Sequence, residues 1–174
     1  ATYTAFTDGT DAWSRIADPQ EKEAAGRDFV AQIARLHAID ARAHPLRGFG
    51  DPDEPVSARL RREIRDLRAT NLSARPDAIL QLALHWLEEN IPPDDGAAVI
   101  VHGDAGPGNF LCANGQVTAL LDWELAHYGD PMEDLAGIWV RMLFNPFLPP
   151  REIFDVYERE SGRAVDVDRV RFHR

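Results

Sequence analysis

The 174-residue sequence contains almost no lysine: Lys22 is the only one, and the other 18 of its 19 basic residues are arginines. Chemistry that needs a lysine therefore has one candidate, set in the acidic run Asp18-Pro19-Gln20-Glu21-Lys22-Glu23. Cysteine is equally scarce. Cys112 alone cannot build an internal disulfide framework, and a reducing, cytoplasmic setting is expected. No apolar run approaches the ~20 residues of a membrane-spanning helix, and the first residues do not read as a signal peptide. Positive charge is in deficit, with 19 basic against 29 acidic residues and a net charge of −10. That balance argues against bulk binding to nucleic acid or to anionic membrane. The sequence opens on Ala1 without Met, so a processed or incomplete chain is expected.

What is present suffices for one domain, because a chain of this length buries roughly 70% of its extended surface. Tyr3, Phe6, Trp13 and Ile16 suggest a docked N-terminal segment. Asp18-Pro19 reads as a cap followed by a first-turn proline, opening a helix to about Asp40 with Phe29, Ile33 and Leu36 on its apolar face. Ala41 to Pro55 reads as a loop. Ser57 is expected to cap a second helix to about Thr70, with the narrow stripe Leu60, Ile64 and Leu67. Pro76 opens a third through Asn90, with Ile79, Leu80, Ala83, Leu84 and Leu87 at helical spacing.

The pattern then changes. Ala97 to Val101 is a short β-branched run. Phe110 to Ala113 and Gln116 to Leu121 flank Asn114-Gly115, a strong hairpin signal. Asp130-Pro131, with Glu133 three residues after the cap, starts a helix whose apolar face holds Leu135, Ile138, Trp139 and Met142. Residues 145–150 break it, and a helix over Arg151 to Ser161 stops at Gly162. Val165 to Arg174 reads as the start of a further element. The expected organisation is a single mainly α domain over 1–174 with a small β-hairpin insert. Its parts are a leading segment at 1–18, helices over 19–96, a loop-and-hairpin segment over 97–136, and C-terminal helices over 137–174.

The chemistry concentrates in His102-Gly103-Asp104-Ala105-Gly106-Pro107-Gly108-Asn109. Its skeleton, H-x-D-x-x-x-x-N, has the catalytic-loop spacing of kinase-type phosphotransferases. Asp122 follows at the hairpin exit, in Leu121-Asp122-Trp123-Glu124. Phosphoryl transfer to an alcohol needs an oriented acceptor and an offset for triphosphate charge. Asp104 can accept the hydroxyl's hydrogen bond and later its proton. Asn109 and Asp122 offer the hard oxygens that Mg²⁺ prefers. Taken singly, Asp and Asn in a Gly/Pro loop usually make turns. The combination of strand, loop, hairpin, exit Asp and capped helix points to function instead.

Residues 99–136 resemble the core of the aminoglycoside phosphotransferase family of small-molecule kinases. The resemblance rests on His102-Gly103-Asp104, Asn109-Phe110, Leu121-Asp122-Trp123-Glu124, Gly129-Asp130-Pro131 and Asp134-Leu135-Ala136. Ala34-Arg35-Leu36-His37-Ala38-Ile39-Asp40 is also similar to a segment upstream of that loop. The Asp-Trp-Glu form is similar to a bacterial subgroup, relatives of which occur fused to acyl-CoA dehydrogenases. The resemblance implies the C-terminal lobe of the protein-kinase-like fold, with ATP as co-substrate, Mg²⁺ as cofactor and a small hydroxylated acceptor. It makes Asp104 the catalytic base and Asn109 and Asp122 the metal ligands. His102 would brace the loop, or serve as a hydrogen-bonded core histidine. Glu124 would hold a second metal or a water, or be a structural carboxylate. Asp130 is expected as an N-cap. Asp134 would tie its helix to the loop backbone or form a surface ion pair. Trp123, Trp139 and Phe110 are expected in the core.

Such kinases also carry a phosphate-covering loop and a strand lysine. No Gly-x-Gly-x-x-Gly precedes residue 102, and Lys22 sits at a helix start with a surface role. The expectation is a lobe whose N-terminal partner is missing, inactive alone and able to self-associate through its exposed cleft. A binding module without turnover is the alternative, and a metal hydrolase using His102, Asp104 and Asp122 is a third reading. The arginine cluster at 59–75 reads as a solvated face paired with acids such as Glu63 and Asp66, or as a dock for an anionic substrate.

Overall fold

A computed structural model of the chain describes residues 11–43, 45–71, 77–96 and 98–174. Tyr3, Phe6, Arg75, Pro76 and Ala97, each assigned a role from the sequence, lie outside these residues. The elements run β1 (Asp11–Ala12), a 3-10 turn (Trp13–Arg15), α1 (Pro19–His37), α2 (Val56–Asn71), α3 (Ala78–Glu89) and β2 (Val99–Val101). They continue with β3 (Phe110–Ala113), β4 (Gln116–Leu120), a second 3-10 turn (Trp123–Leu125), β5 (His127–Gly129), α4 (Pro131–Met142), α5 (Pro150–Ser161) and α6 (Val167–His173). The mainly helical lobe with a small hairpin is therefore as expected from the sequence.

Helix starts follow their caps. The Asp18 carboxylate accepts from Gln20 N–H, with Pro19 in the first turn of α1. Asp77 caps α3 by accepting from Ile79 and Leu80 N–H. Helix α2 differs from expectation. It begins at Val56, and Ser57 is not its cap but a group held by a remote carboxylate. Asp94 accepts from Ser57 N–H at 2.9 Å and from its hydroxyl at 2.6 Å. Helix α1 ends at His37, three residues earlier than expected.

Two antiparallel sheets frame the loop. One runs β1-β3-β4 and the other pairs β2 with β5. Asn114 and Gly115 both have positive φ (52° and 72°), the twist a two-residue hairpin turn requires. Strands β1 and β5 are additions to the sequence reading, because two- and three-residue strands have no periodicity to detect.

The main core joins α1, β3, α4, α5 and α6 through Phe29, Ile33, Phe110, Leu135, Ile138, Tyr157 and Val170. Phe29 stacks on Phe110 at 4.5 Å, and Trp13 meets Phe110 edge-on at 5.6 Å. Helix α3 departs from the expected pattern. Leu84 is its only fully buried residue, and Ile79 is 81% exposed. Its contacts are chiefly with α2, so one narrow seam satisfies it.

Charges tie the helices together. Arg59 is buried, donating to Glu63 at 2.6 Å and to Glu133 at 2.9 Å, and so joins α2 to α4. Glu133 therefore serves a bridge to α2, with His127 also 3.2 Å away, and does more than complete a capping box. Arg62 pairs with Glu54, and Arg68 with Glu88 at 3.0 Å. The described part of the arginine cluster thus behaves largely as an acid-paired face. The Lys22 ammonium lies over the Trp13 ring, 5.7 Å from its centroid, within cation–π range.

Asp130 does two jobs at the start of α4. One oxygen caps the helix from Met132 N–H at 2.8 Å, and the other accepts from the buried Arg169 at 2.6 Å. Burial alone would push this carboxyl up. Nearby His173, the Met132 N–H and Arg169 outweigh burial and hold it down at about 2. A depressed folded-state value stabilises the fold above the unfolded value of 3.8, and that stability is lost as pH falls toward about 2. The contribution is on the order of 2 kcal/mol. Denaturant titrations at stepped pH should show this acid loss in the wild type. Asp130→Asn should start less stable at neutral pH and lose less on acidification. An unchanged acid slope would contradict the assignment.

Candidate active site

Strand β2 delivers the chain into the loop 102–109, and α4 receives it. Asp134, one turn into α4 and fully buried, accepts from His102 N–H at 2.8 Å and from Gly103 N–H at 2.9 Å. The same carboxylate meets His37 Nε2 at 3.0 Å, and His37 Nδ1 meets the Tyr157 hydroxyl at 2.8 Å. The Asp134 carboxylate, which already accepts two backbone N–H groups, takes the His37 proton on Nε2, so the Tyr157 hydroxyl is the donor to Nδ1. Burial pushes the Tyr157 phenol up to about 12. A chain of side chains thus runs from α5 through α1 and α4 to the loop backbone. Asp134 is a buried anchor of the loop and not a surface ion pair.

His102 is buried within the loop it opens. Its Nε2 donates to Leu121 carbonyl at 2.8 Å, and its Nδ1 accepts from Asp104 N–H at 3.3 Å. One imidazole in one tautomer therefore links the loop to the end of β4. The two readings offered by the sequence, a loop brace and a hydrogen-bonded core histidine, are here one arrangement.

Asp104 is half-buried, and Asn109 folds back onto it. The Asn109 amide donates to the Asp104 carbonyl at 2.8 Å and to its Oδ2 at 2.7 Å. With both amide hydrogens used, the side chain of Asn109 has its Oδ1 left as an acceptor. The Asn109 carbonyl in turn accepts from Leu121 N–H at 2.8 Å. This bond sets the hairpin exit beside the loop, so the residue before Asp122 is fastened to Asn109. Asp122 itself is exposed and sits in the left-handed region at φ 63°. That conformation costs a non-glycine residue on the order of 1 kcal/mol.

Glu124 is exposed on the turn after Asp122. Trp123 corrects the sequence reading. It is 39% exposed, its indole N–H donates to Leu120 carbonyl, and its ring lies 4.7 Å from the His102 ring. A 3-10 turn directs it over the loop surface, away from the core. Phe110 is buried as expected, and Trp139 is half-buried at the edge of the core. Asp130 lies at the cap of α4, engaged with Arg169, and has no contact with Asp104.

Arg141 is the residue that sequence reasoning missed. Its guanidinium contacts Asp104 Oδ1 from the last turn of α4. One signal was available: Arg141 is the only charge between Leu135 and Phe144. A lone charge in an apolar helical run calls for a partner.

Gly103 is required on two counts. Its φ is 79°, and a Cβ there would stand 2.4 Å from the Leu125 carbonyl oxygen, a backbone atom. Gly103→Ala should therefore cost about 2 kcal/mol or more, from left-handed strain plus a contact that cannot relax. For a domain of this size that is a fall of several degrees in Tm. A melting curve within a degree of wild type would contradict the geometry.

The donor set fits a hard cation shared with phosphates. Asn109 Oδ1 and the Asp122 carboxylate are oxygen ligands, and Mg²⁺ commonly takes one or two protein oxygens and completes its shell with phosphates and water. Among the described residues no group of three or more His, Cys, Asp or Glu side chains forms a protein-only cage. An open cavity of about 590 Å³ lies elsewhere, between the end of α3 and α6, lined in part by Trp86, Asp95, Asp166 and Phe172. None of its lining residues comes from the loop. Among the described residues no helix is long and apolar enough to cross a membrane.

The sequence pattern of a family described as APH, phosphotransferase enzyme family, matches residues 1–173. Acyl-CoA dehydrogenase family member 11 of Gallus gallus is 35% identical over 112 residues, which are 62% of this chain and 14% of that protein. Hygromycin-B 4-O-kinase of Escherichia coli is 42% identical over 73 residues, 41% of this chain and 20% of that protein. Among solved structures, the choline kinase LicA of Streptococcus pneumoniae superposes with a TM-score of 0.66 at 18% identity, covering 97% of this chain and 55% of that one. The likeness to LicA is one of fold. The chain thus spans about half the length of that structure and a fifth or less of the length of these two relatives.

Proposed function

We propose, from the premise that the chain belongs to the APH phosphotransferase enzyme family, that it is the catalytic lobe of an ATP-dependent kinase acting on a hydroxyl of a small molecule. One observation carries the reading. The Leu121 N–H to Asn109 carbonyl bond, with the Asn109 amide on Asp104, gathers Asp104, Asn109 and the backbone leading to Asp122 into one cluster.

In this reading Asp104 accepts a hydrogen bond from the acceptor hydroxyl and points its oxygen at the γ-phosphorus. As the new O–P bond forms, the bond to the bridging oxygen breaks and ADP leaves with that electron pair. The hydroxyl proton passes to Asp104 late, since a carboxylate is a weak base and acts mainly by orientation. Asn109 Oδ1 and Asp122 would hold Mg²⁺, which would supply positive charge to offset that of the phosphates. His102 and Asp134 keep the loop from drifting, and the half-buried position of Asp104 limits the water that competes with the acceptor.

A grip on the triphosphate from a second lobe is part of the same proposal, because Lys22 is occupied with Trp13 at the start of α1. The 174-residue chain alone is then expected to be inactive or nearly so. The test uses the full-length protein with MgATP and an acceptor panel of hygromycin B, kanamycin, choline and simple alcohols. ADP release that depends on an acceptor, with a phosphate ester as product, supports the reading. Nucleotide binding with no turnover on any acceptor would overturn it in favour of a binding module.

A further inference from the structure

We propose that Arg141 is a positioning residue of the phosphotransfer site, setting the plane of the Asp104 carboxylate from the last turn of α4. The proposal rests on the reading of Asp104 as the base.

Three observations lead to it. First, the two oxygens of Asp104 are held from two directions. Asn109, within the loop, donates to Oδ2 at 2.7 Å, and the Arg141 guanidinium contacts Oδ1. A carboxylate held at one oxygen can still swivel about its Cβ–Cγ bond. Held at both, it presents its remaining lone pairs in one direction, which an in-line attack requires.

Second, Arg141 reaches past Asp104 to the loop backbone, with Nη1 3.5 Å from the Pro107 carbonyl. The fixed fork of guanidinium donors suits two acceptors at once, which a lysine ammonium serves less well.

Third, the loop makes room for the stem of Arg141. A Cβ on Gly106 would stand 2.0 Å from Arg141 Cδ and 3.1 Å from its Cγ and Nε. Gly106 is not among the positive-φ glycines, so its backbone does not call for glycine. The missing side chain is what lets Arg141 lie across the loop.

The spacing along α4 completes the picture. Asp134 and Arg141 are seven residues apart, two helical turns, and so share one face. Asp134 fixes the loop at 102 and 103, and Arg141 fixes it at 104 and 107. The helix acts as a splint laid along the loop. Both Arg141 and Asp104 side chains are 31% exposed. An ion pair this open to water adds little to folding stability. A purely structural role would therefore leave few traces in either melting or turnover, whereas a positioning role would appear in turnover alone.

The experiment compares Arg141→Met, Arg141→Lys, Gly106→Ala and Asp104→Ala in the full-length protein. ADP release from MgATP is read with water and with each member of the alcohol panel. Arg141→Met should lower kcat about a hundredfold, with KM for MgATP within about twofold of wild type and a near-native Tm. Millimolar guanidinium should restore part of that loss, and only in this variant. Arg141→Lys should fall between. Gly106→Ala keeps the charge but displaces the stem, and should lower kcat with no guanidinium rescue.

Wild-type kcat in Arg141→Met would overturn the proposal, as would a loss of kcat that follows a loss of Tm and resists guanidinium. If Asp104→Ala is dead while Arg141→Met is fully active, the role of Arg141 fails and the base assignment stands. Full activity in Asp104→Ala removes the base assignment and this inference with it. Wild-type protein that releases no ADP with any acceptor overturns both.

Discussion

Replacing Asp104 with alanine in the full-length protein is expected to lower acceptor-dependent ADP release by ~10²–10⁴, the range a positioned general base supplies. The loss should fall on kcat, because in the proposed mechanism Asp104 touches the reacting hydroxyl and not the nucleotide. Folding should survive. Asp104 is half-buried, its partners Asn109 and Arg141 are both within reach of solvent, and no apolar contact depends on it. Melting curves within a few degrees of wild type, together with dead turnover, would separate chemistry from scaffold. Full activity in the variant would remove the base assignment altogether. Asp122→Ala should also lose activity, but with an apparent weakening for Mg²⁺ that rising Mg²⁺ partly offsets, because it removes one of two proposed oxygen ligands.

The largest expected effect on stability belongs to Asp134. Its carboxylate serves His102 N–H and His37 Nε2 in a buried setting and Gly103 N–H in a part-buried one. Asp134→Ala leaves three donors facing a void. Each unsatisfied buried donor costs ~1–3 kcal/mol, and breaking a buried charged network typically costs ~3–5 kcal/mol. At ~2–4 °C per kcal/mol for a chain of this size, Tm should fall by on the order of 10 °C. Asp134→Asn keeps the shape and one acceptor oxygen, but turns an amide N–H₂ toward a donor, and should fall between. Circular dichroism of the 174-residue chain is sufficient for the measurement. A Tm shift of only a degree or two for Asp134→Ala would mean that water reaches these donors and that the anchor is not sealed.

The elements that the sequence announced are those with local causes. Asp18-Pro19 and Asp130-Pro131 start helices because cap and proline act within one turn. Asn114-Gly115 makes a hairpin because two adjacent residues accept positive φ. The loop from His102 to Asn109, and the place of Asp122 at the hairpin exit, were legible for the same reason. What escaped depends on contacts made far along the chain. Ser57 reads as a cap until Asp94, 37 residues on, takes its donors. Arg59 reads as one of a solvated row until Glu133 buries it. Ile79 fits a helical stripe, but α3 packs along one seam and leaves that position in water. Trp123 reads as core from its size alone, and a three-residue turn sends it outward. Strands β1 and β5 exist only because β3 and β2 offer them an edge. Arg141 was hidden by distance, 37 residues beyond the carboxylate it touches.

The left-handed backbone of Asp122 has a practical corollary for anyone engineering this chain. Glycine would rest there without strain, but it also adds ~0.5–1 kcal/mol of unfolded-chain entropy that offsets the relief, so Asp122→Gly should leave Tm close to that of the wild type. A selection that rewards heat resistance alone would therefore let that substitution through, although on the proposed function it removes a metal ligand. Thermostability screens on the full-length protein need activity as a second criterion at every round, because position 122 is one that melting alone does not guard.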